Sequence, residues 1–110
     1  MPKFLILILF HFSLSAAPLG ETLFNGNCVT CHEIHTTNSA PSIKEVKVRY
    51  HKAFDSKEKF VTFMVEWVSK PDAKTALMPE AIKKHGLMPL LGYDKESLTE
   101  IATFLYESPY

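Results

Sequence analysis

Cysteine is scarce in this chain of 110 residues, which holds only Cys28 and Cys31. A small exported domain stapled by disulfides normally carries four or more, so that class of scaffold is excluded. An excess of one charge is also missing, with Lys+Arg 12 against Asp+Glu 12. Nucleic-acid binding asks for a strong basic excess, and no nucleic-acid partner is expected. There is no internal repeat beyond two Met-Pro dipeptides, Met78-Pro79 and Met88-Pro89, no low-complexity tract and no inter-domain linker. At this length a single domain is expected.

The first residues have the three-part pattern of a secretory signal peptide. Met1-Pro2-Lys3 is a short positive start, Phe4 to Phe12 is apolar except for His11, and Ser13 to Ala17 are mostly small. Residues 1–17 are therefore expected to be removed, leaving a domain over residues 18–110; Pro18 just after that cut fits poorly and leaves the cut position open. An uncleaved anchor is the alternative. Phe4 to Ala17 makes only about 21 Å of helix against a hydrocarbon core of roughly 30 Å. Either way the domain lies on the far side of the inner membrane, and the periplasm is the expected location. Contact with the membrane is expected only through partners or an uncleaved N-terminus.

Strand patterns are lacking as well, and the remainder reads as four or five short helices. Leu19 to about Val29 suits a helix leading into the cysteine pair, with Leu23 and Phe24 on one side. Asn38 to Pro41 reads as a loop. Ile43 to about Lys52 reads as a helix, although Val46 and Val48 also fit an alternating pattern. Lys57 to Ser69 is a stronger prediction: Ser56 or Asp55 can cap it, Pro71 follows it, and Phe60, Phe63, Met64 and Trp67 keep a 3.6-residue period. Pro79 to His85 has proline at its first position and Gly86 past its end. Met88 to Gly92 reads as an extended or turning segment, since Pro89 disfavours helical geometry at Met88. The last helix starts at an Asp94 cap, runs along Leu98, Ile101, Ala102 and Leu105, and ends before Pro109.

The chemistry sits in Cys28-Val29-Thr30-Cys31-His32. This is the attachment signature of haem c. Two thiols about one helical turn apart can each add across a vinyl group on neighbouring pyrroles, and the next residue then places an imidazole over the porphyrin face. Two other readings use the same residues. A redox-active Cys-x-x-Cys would follow a strand at a helix start, and no strand precedes Cys28. A zinc site needs three or four ligands, and beyond His35 there is nothing nearby to complete one.

With these residues in view, the chain resembles the small, soluble, single-haem class I c-type cytochromes, from Gly20 to Tyr106. In that family a glycine and an aromatic precede the first cysteine on the N-terminal helix, where Gly20 and Phe24 stand. An aromatic and an aliphatic of the C-terminal helix pack there, matching Phe104 and Ile101. The resemblance implies an all-α, cytochrome c-like bundle of four to five short helices around one covalently bound haem. It also implies methionine sulfur as the sixth iron ligand. Met64 lies in the strong apolar stripe and reads as core. Met78 and Met88 both precede proline, and Met88 is favoured because Gly92, Tyr93 and Asp94 after it look like the turn into the last helix. Met78 is the alternative. His35 is too close to His32 to reach the opposite face, and His51 and His85 read as surface histidines.

The resemblance further implies that a loop proline carbonyl orients the ligating histidine. Pro41 is the candidate, although Ala40 stands where the family commonly has glycine. In some members an indole N–H reaches a haem propionate, a role open to Trp67 alongside a plain core role. Lys44, Lys47, Arg49, Lys52, Lys57 and Lys59 crowd one stretch, either as a docking surface for an acidic redox partner or as a solvated face. The function implied is a periplasmic single-electron carrier, not an enzyme, and a monomer. Its partners would be a quinol-oxidising complex, a terminal oxidase or a periplasmic reductase. A haem c subunit held permanently in a larger oxidoreductase is the alternative, with a gas- or peroxide-binding haem protein behind it.

Overall fold

Capping residues and apolar spacing set most of the helix boundaries in the computed structural model. It describes residues 18–110 and the isolated Ile8; the rest of the segment expected as a signal peptide lies outside the described residues. Five helices follow in order: α1 Leu19–Asn27, α2 Ile43–Ala53, α3 Lys57–Ser69, α4 Pro79–His85 and α5 Lys95–Glu107. Among the described residues there is no strand.

Ser56 caps α3, its side chain accepting from the Lys59 amide, and Ser42 does the same for α2 through the Glu45 amide. Each bond satisfies an amide that has no partner within the helix. Gly86 lies just past α4 with φ 85°, a conformation that glycine adopts without steric cost. Two expectations are adjusted. α1 stops at Asn27 rather than near Val29, because the chain turns at the cysteine pair and the Cys28 and Val29 amides share the Phe24 carbonyl. Asp94 occupies the N-cap position of α5, but its carboxylate makes no capping bond.

The core is built mainly where α1 and α3 pack on α5. Phe24, Phe60, Met64, Leu98, Ile101, Ala102 and Leu105 are buried in it. Helices α1 and α5 approach almost backbone to backbone at Gly20. A Cβ placed there would press on the Glu100 carbonyl group and stand 2.8 Å from Phe104 Cβ. One turn further on, the Phe24 and Phe104 rings lie 6.0 Å apart. This pairing is worth about 0.5–1.5 kcal/mol beyond the area it buries.

Part of the cation-rich stretch is not a free surface. Lys47 is buried, and its ammonium donates to the Ser108 carbonyl at 2.6 Å, the Ser108 hydroxyl at 2.7 Å and the Tyr110 backbone oxygen at 3.2 Å. Burial holds its pKa below the usual lysine value. Arg49 pairs with Glu80, Lys57 with Glu107 and Lys59 with Asp55. Lys44, Lys52, Lys57 and Lys59 stay exposed, the last two within surface ion pairs.

The crossing predicts the outcome of two glycine substitutions. Gly20→Ala is expected to lower unfolding free energy by about 1–3 kcal/mol, the usual cost of overpacking. Gly26→Ala, where a Cβ would meet nothing within 4 Å, is expected to leave stability unchanged or raise it by up to about 1 kcal/mol. Urea unfolding of the two variants side by side checks both.

Candidate functional site

The end of α1 feeds directly into the cysteine pair. The Cys31 and His32 amides both donate to the Cys28 carbonyl, at 3.2 and 2.8 Å. This turn brings Cys28, Cys31 and His32 to the wall of one cleft. The thiols are not joined to each other; Cys28 is half-buried and Cys31 exposed. Burial pushes the Cys28 thiol above its ordinary pKa, with a smaller push from Cys31.

The loop after His32 is clamped onto the start of α2. The Ile43 and Lys44 amides donate to the Glu33 and Ile34 carbonyls, at 2.8 and 3.1 Å. The Ser42 amide donates to the Thr37 hydroxyl at 3.1 Å, and that hydroxyl donates to Glu45 at 2.9 Å. These bonds fix Pro41, whose carbonyl oxygen lies 2.7 Å from His32 Nδ1. A carbonyl only accepts, so Nδ1 carries the proton and Nε2 keeps its lone pair. Burial lowers the His32 pKa, the Pro41 bond opposes that, and His85 nearby adds to the lowering. The net effect favours a neutral imidazole, the form that binds metal.

The opposite side of the cleft comes from the chain around α4. Met78, the N-cap residue of α4, and Met88, in the segment after it, both line the cleft and are half-buried. His85 lines it too, whereas His51 is exposed and stacks on Phe60 and Tyr106 at 4.9 and 5.0 Å. Thus the expectation that His85 is an ordinary surface histidine is corrected. Ile43, Val46, Leu98, Ile101 and Leu105 make the remaining walls almost wholly apolar. The cleft offers about 240 Å³ to the centres of water molecules. Roughly 10–15 Å³ by that measure holds one water, so this is a ligand-sized cleft rather than a packing fault.

Trp67 lines the cleft, but its indole N–H donates to the Asp72 carbonyl at 3.0 Å. Its one indole proton is thus used within the chain, on a backbone acceptor five residues away. Sequence reasoning also missed two polar ties at the edge of the site. Arg49 donates to the Leu77 carbonyl at 2.8 Å, and the Tyr93 hydroxyl donates to Asn27 at 2.7 Å. No local pattern signals either tie, since in each case the partner is far away in the chain.

The residues fit a haem joined through thioethers. There are two unpaired thiols three positions apart in the chain on one cleft wall, an imidazole whose free nitrogen is left as a ligand, thioether sulfurs in the cleft, and apolar walls for a flat macrocycle. The other two readings find less support. Among the described residues no three His, Cys, Asp or Glu side chains gather as a metal site, and no strand leads into the cysteine pair.

The N-cap of α2 generates a prediction. Ser42→Ala removes the bond to the Glu45 amide (3.2 Å) next to the carbonyl that holds His32. A loss of about 1 kcal/mol in unfolding free energy is expected, measured by thermal or denaturant unfolding.

Comparison with known proteins follows the same lines. An uncharacterized protein of Aquifex aeolicus (strain VF5) is 32% identical over 73 residues, covering 64% of this chain and 48% of that protein. The chain thus spans about half the length of the curated relative it matches. No solved structure matches it. The profile of the family described as Cytochrome c matches residues 17–108. On that match over most of its length, the chain belongs to the cytochrome c family, with covalently bound haem c and its iron as cofactor.

Proposed function

We propose that the protein carries single electrons in the periplasm. Its haem c would be attached at Cys28 and Cys31 and bound at iron by His32 and a methionine. The contact between His32 Nδ1 and the Pro41 carbonyl carries this reading, because it fixes the tautomer that leaves Nε2 for iron. Haem iron, when bound, supplies a one-electron couple.

The chain's own residues set the conditions for that couple. The Pro41 carbonyl orients the ring of His32 and raises its basicity as a ligand. The apolar walls exclude water and disfavour net charge. A methionine thioether on the other side favours the reduced state and raises the potential. Met88 is favoured over Met78 because it lies nearer the turn into α5. Because no bond of a substrate changes, the reading is a carrier and not an enzyme. Partners of the matching chemistry are a quinol-oxidising complex, a terminal oxidase or a periplasmic reductase. A signal peptide over residues 1–17 would deliver the chain to them.

The alternative to a free carrier is a haem c subunit held permanently in a larger oxidoreductase. Native size-exclusion of the periplasmic fraction separates the two, since a free carrier elutes near its 12.5 kDa mass or slightly below.

Two measurements test the site. The ferric sulfur–iron charge-transfer band is expected in the wild type and in Met78→Ala, and is expected to vanish in Met88→Ala; the reverse pattern assigns the sulfur to Met78. Haem staining on a denaturing gel is expected to persist when either cysteine alone is changed to serine and to disappear in Cys28→Ser/Cys31→Ser. Colour lost from the wild type in acidified organic solvent would remove the covalent reading.

A further inference from the structure

The stretch between Leu77 and Tyr93 holds both candidate methionines and forms one side of the cleft. Leu77 and Tyr93 pack against the core, but no side chain between them does. α4 buries no residue. Gly86 and Gly92 have φ 85° and 74°, and a Cβ at either would meet nothing within 4 Å. These glycines bracket Met88, and their positive φ turns the chain on either side of it.

Two polar ties fasten the ends of this stretch to the rest of the domain. At its start, the Arg49 guanidinium of α2 donates to the Leu77 carbonyl at 2.8 Å and pairs with Glu80 in the first turn of α4. At its end, the Tyr93 hydroxyl donates to Asn27 Oδ1 at 2.7 Å, and the Asn27 amide donates to the Leu23 carbonyl at 2.7 Å. The second tie therefore runs into the last turn of α1, one residue before Cys28. Arg49 does not itself line the cleft.

The geometry points to Arg49 and the Asn27–Tyr93 pair as positioning residues: together they hold the Leu77–Tyr93 stretch closed over the cleft and so keep a methionine sulfur available to the iron. This deepens the proposed function and rests on it, and it applies whether the sulfur is that of Met78 or of Met88. Ion pairs on an open surface contribute little. The Arg49 tie differs because it also satisfies a part-buried backbone carbonyl with a charged donor. Without it, the methionine arm competes less well against an external ligand, because the closed arrangement is a smaller fraction of the population.

Haem-loaded protein tests this with imidazole added to the ferric form and carbon monoxide to the reduced form. Arg49→Met and Tyr93→Phe are each expected to raise apparent imidazole affinity by about tenfold, the effect of losing one hydrogen bond of this kind. Carbon monoxide should bind faster in both, and Arg49→Lys should recover part of the wild-type behaviour. Lys57→Met, which breaks an ion pair remote from the stretch, should leave both readouts at wild-type values. Imidazole affinity unchanged in Arg49→Met and Tyr93→Phe overturns the proposal, as does an equal rise in Lys57→Met. Absence of the sulfur–iron band from the wild type sinks the methionine reading and this proposal together. A normal wild-type band with unaltered variants sinks this proposal alone.

Discussion

The near-contact of two helix backbones at Gly20 governs the arrangement of everything else. It sets α1 against α5 at a separation that no side chain on residue 20 would permit. Because Cys28 follows α1 without a linker, fixing α1 on α5 also fixes the thiols relative to Leu98, Ile101 and Leu105, which form a wall of the cleft. One steric constraint thus joins the fold to the chemistry. The aromatic pair Phe24 and Phe104 strengthens the same crossing and fills the space beside it.

The two sides of the site are held by different contacts. On the side of His32, backbone and side-chain bonds accumulate between His32 and Glu45. On the side of the methionines, the Arg49 bond to the Leu77 carbonyl and the Tyr93 bond to Asn27 tie the two ends of the stretch to α2 and α1. The two halves suit different tasks. A histidine ligand benefits from a fixed tautomer and direction, whereas the methionine side determines whether iron meets sulfur or an outside molecule.

The parts legible in the sequence were those governed by neighbours in the chain. Ser56, Pro79 and Gly86 delimit α3 and α4 because caps, ring closure and positive φ act within a few residues. The attachment motif is local for the same reason. Long-range partners were not legible. Lys47 looked like one more surface cation because nothing near it in sequence reveals that Ser108 and Tyr110 will surround its ammonium. Arg49 and Trp67 likewise chose backbone carbonyls, which carry no sequence signature. The choice between Met78 and Met88 was equally beyond the pattern, since both dipeptides place a sulfur in the cleft.

The pairing of the first described helix with the last also has a consequence for biosynthesis. A growing chain emerges from its N-terminal end, and α1 meets its main partner only when residues near Glu100 and Phe104 have been made. Until then the face holding Gly20 and Phe24 lacks α5 to pack on. The crossing that sets the cysteine motif against Leu98, Ile101 and Leu105 is therefore completed only when the whole intervening chain is in place.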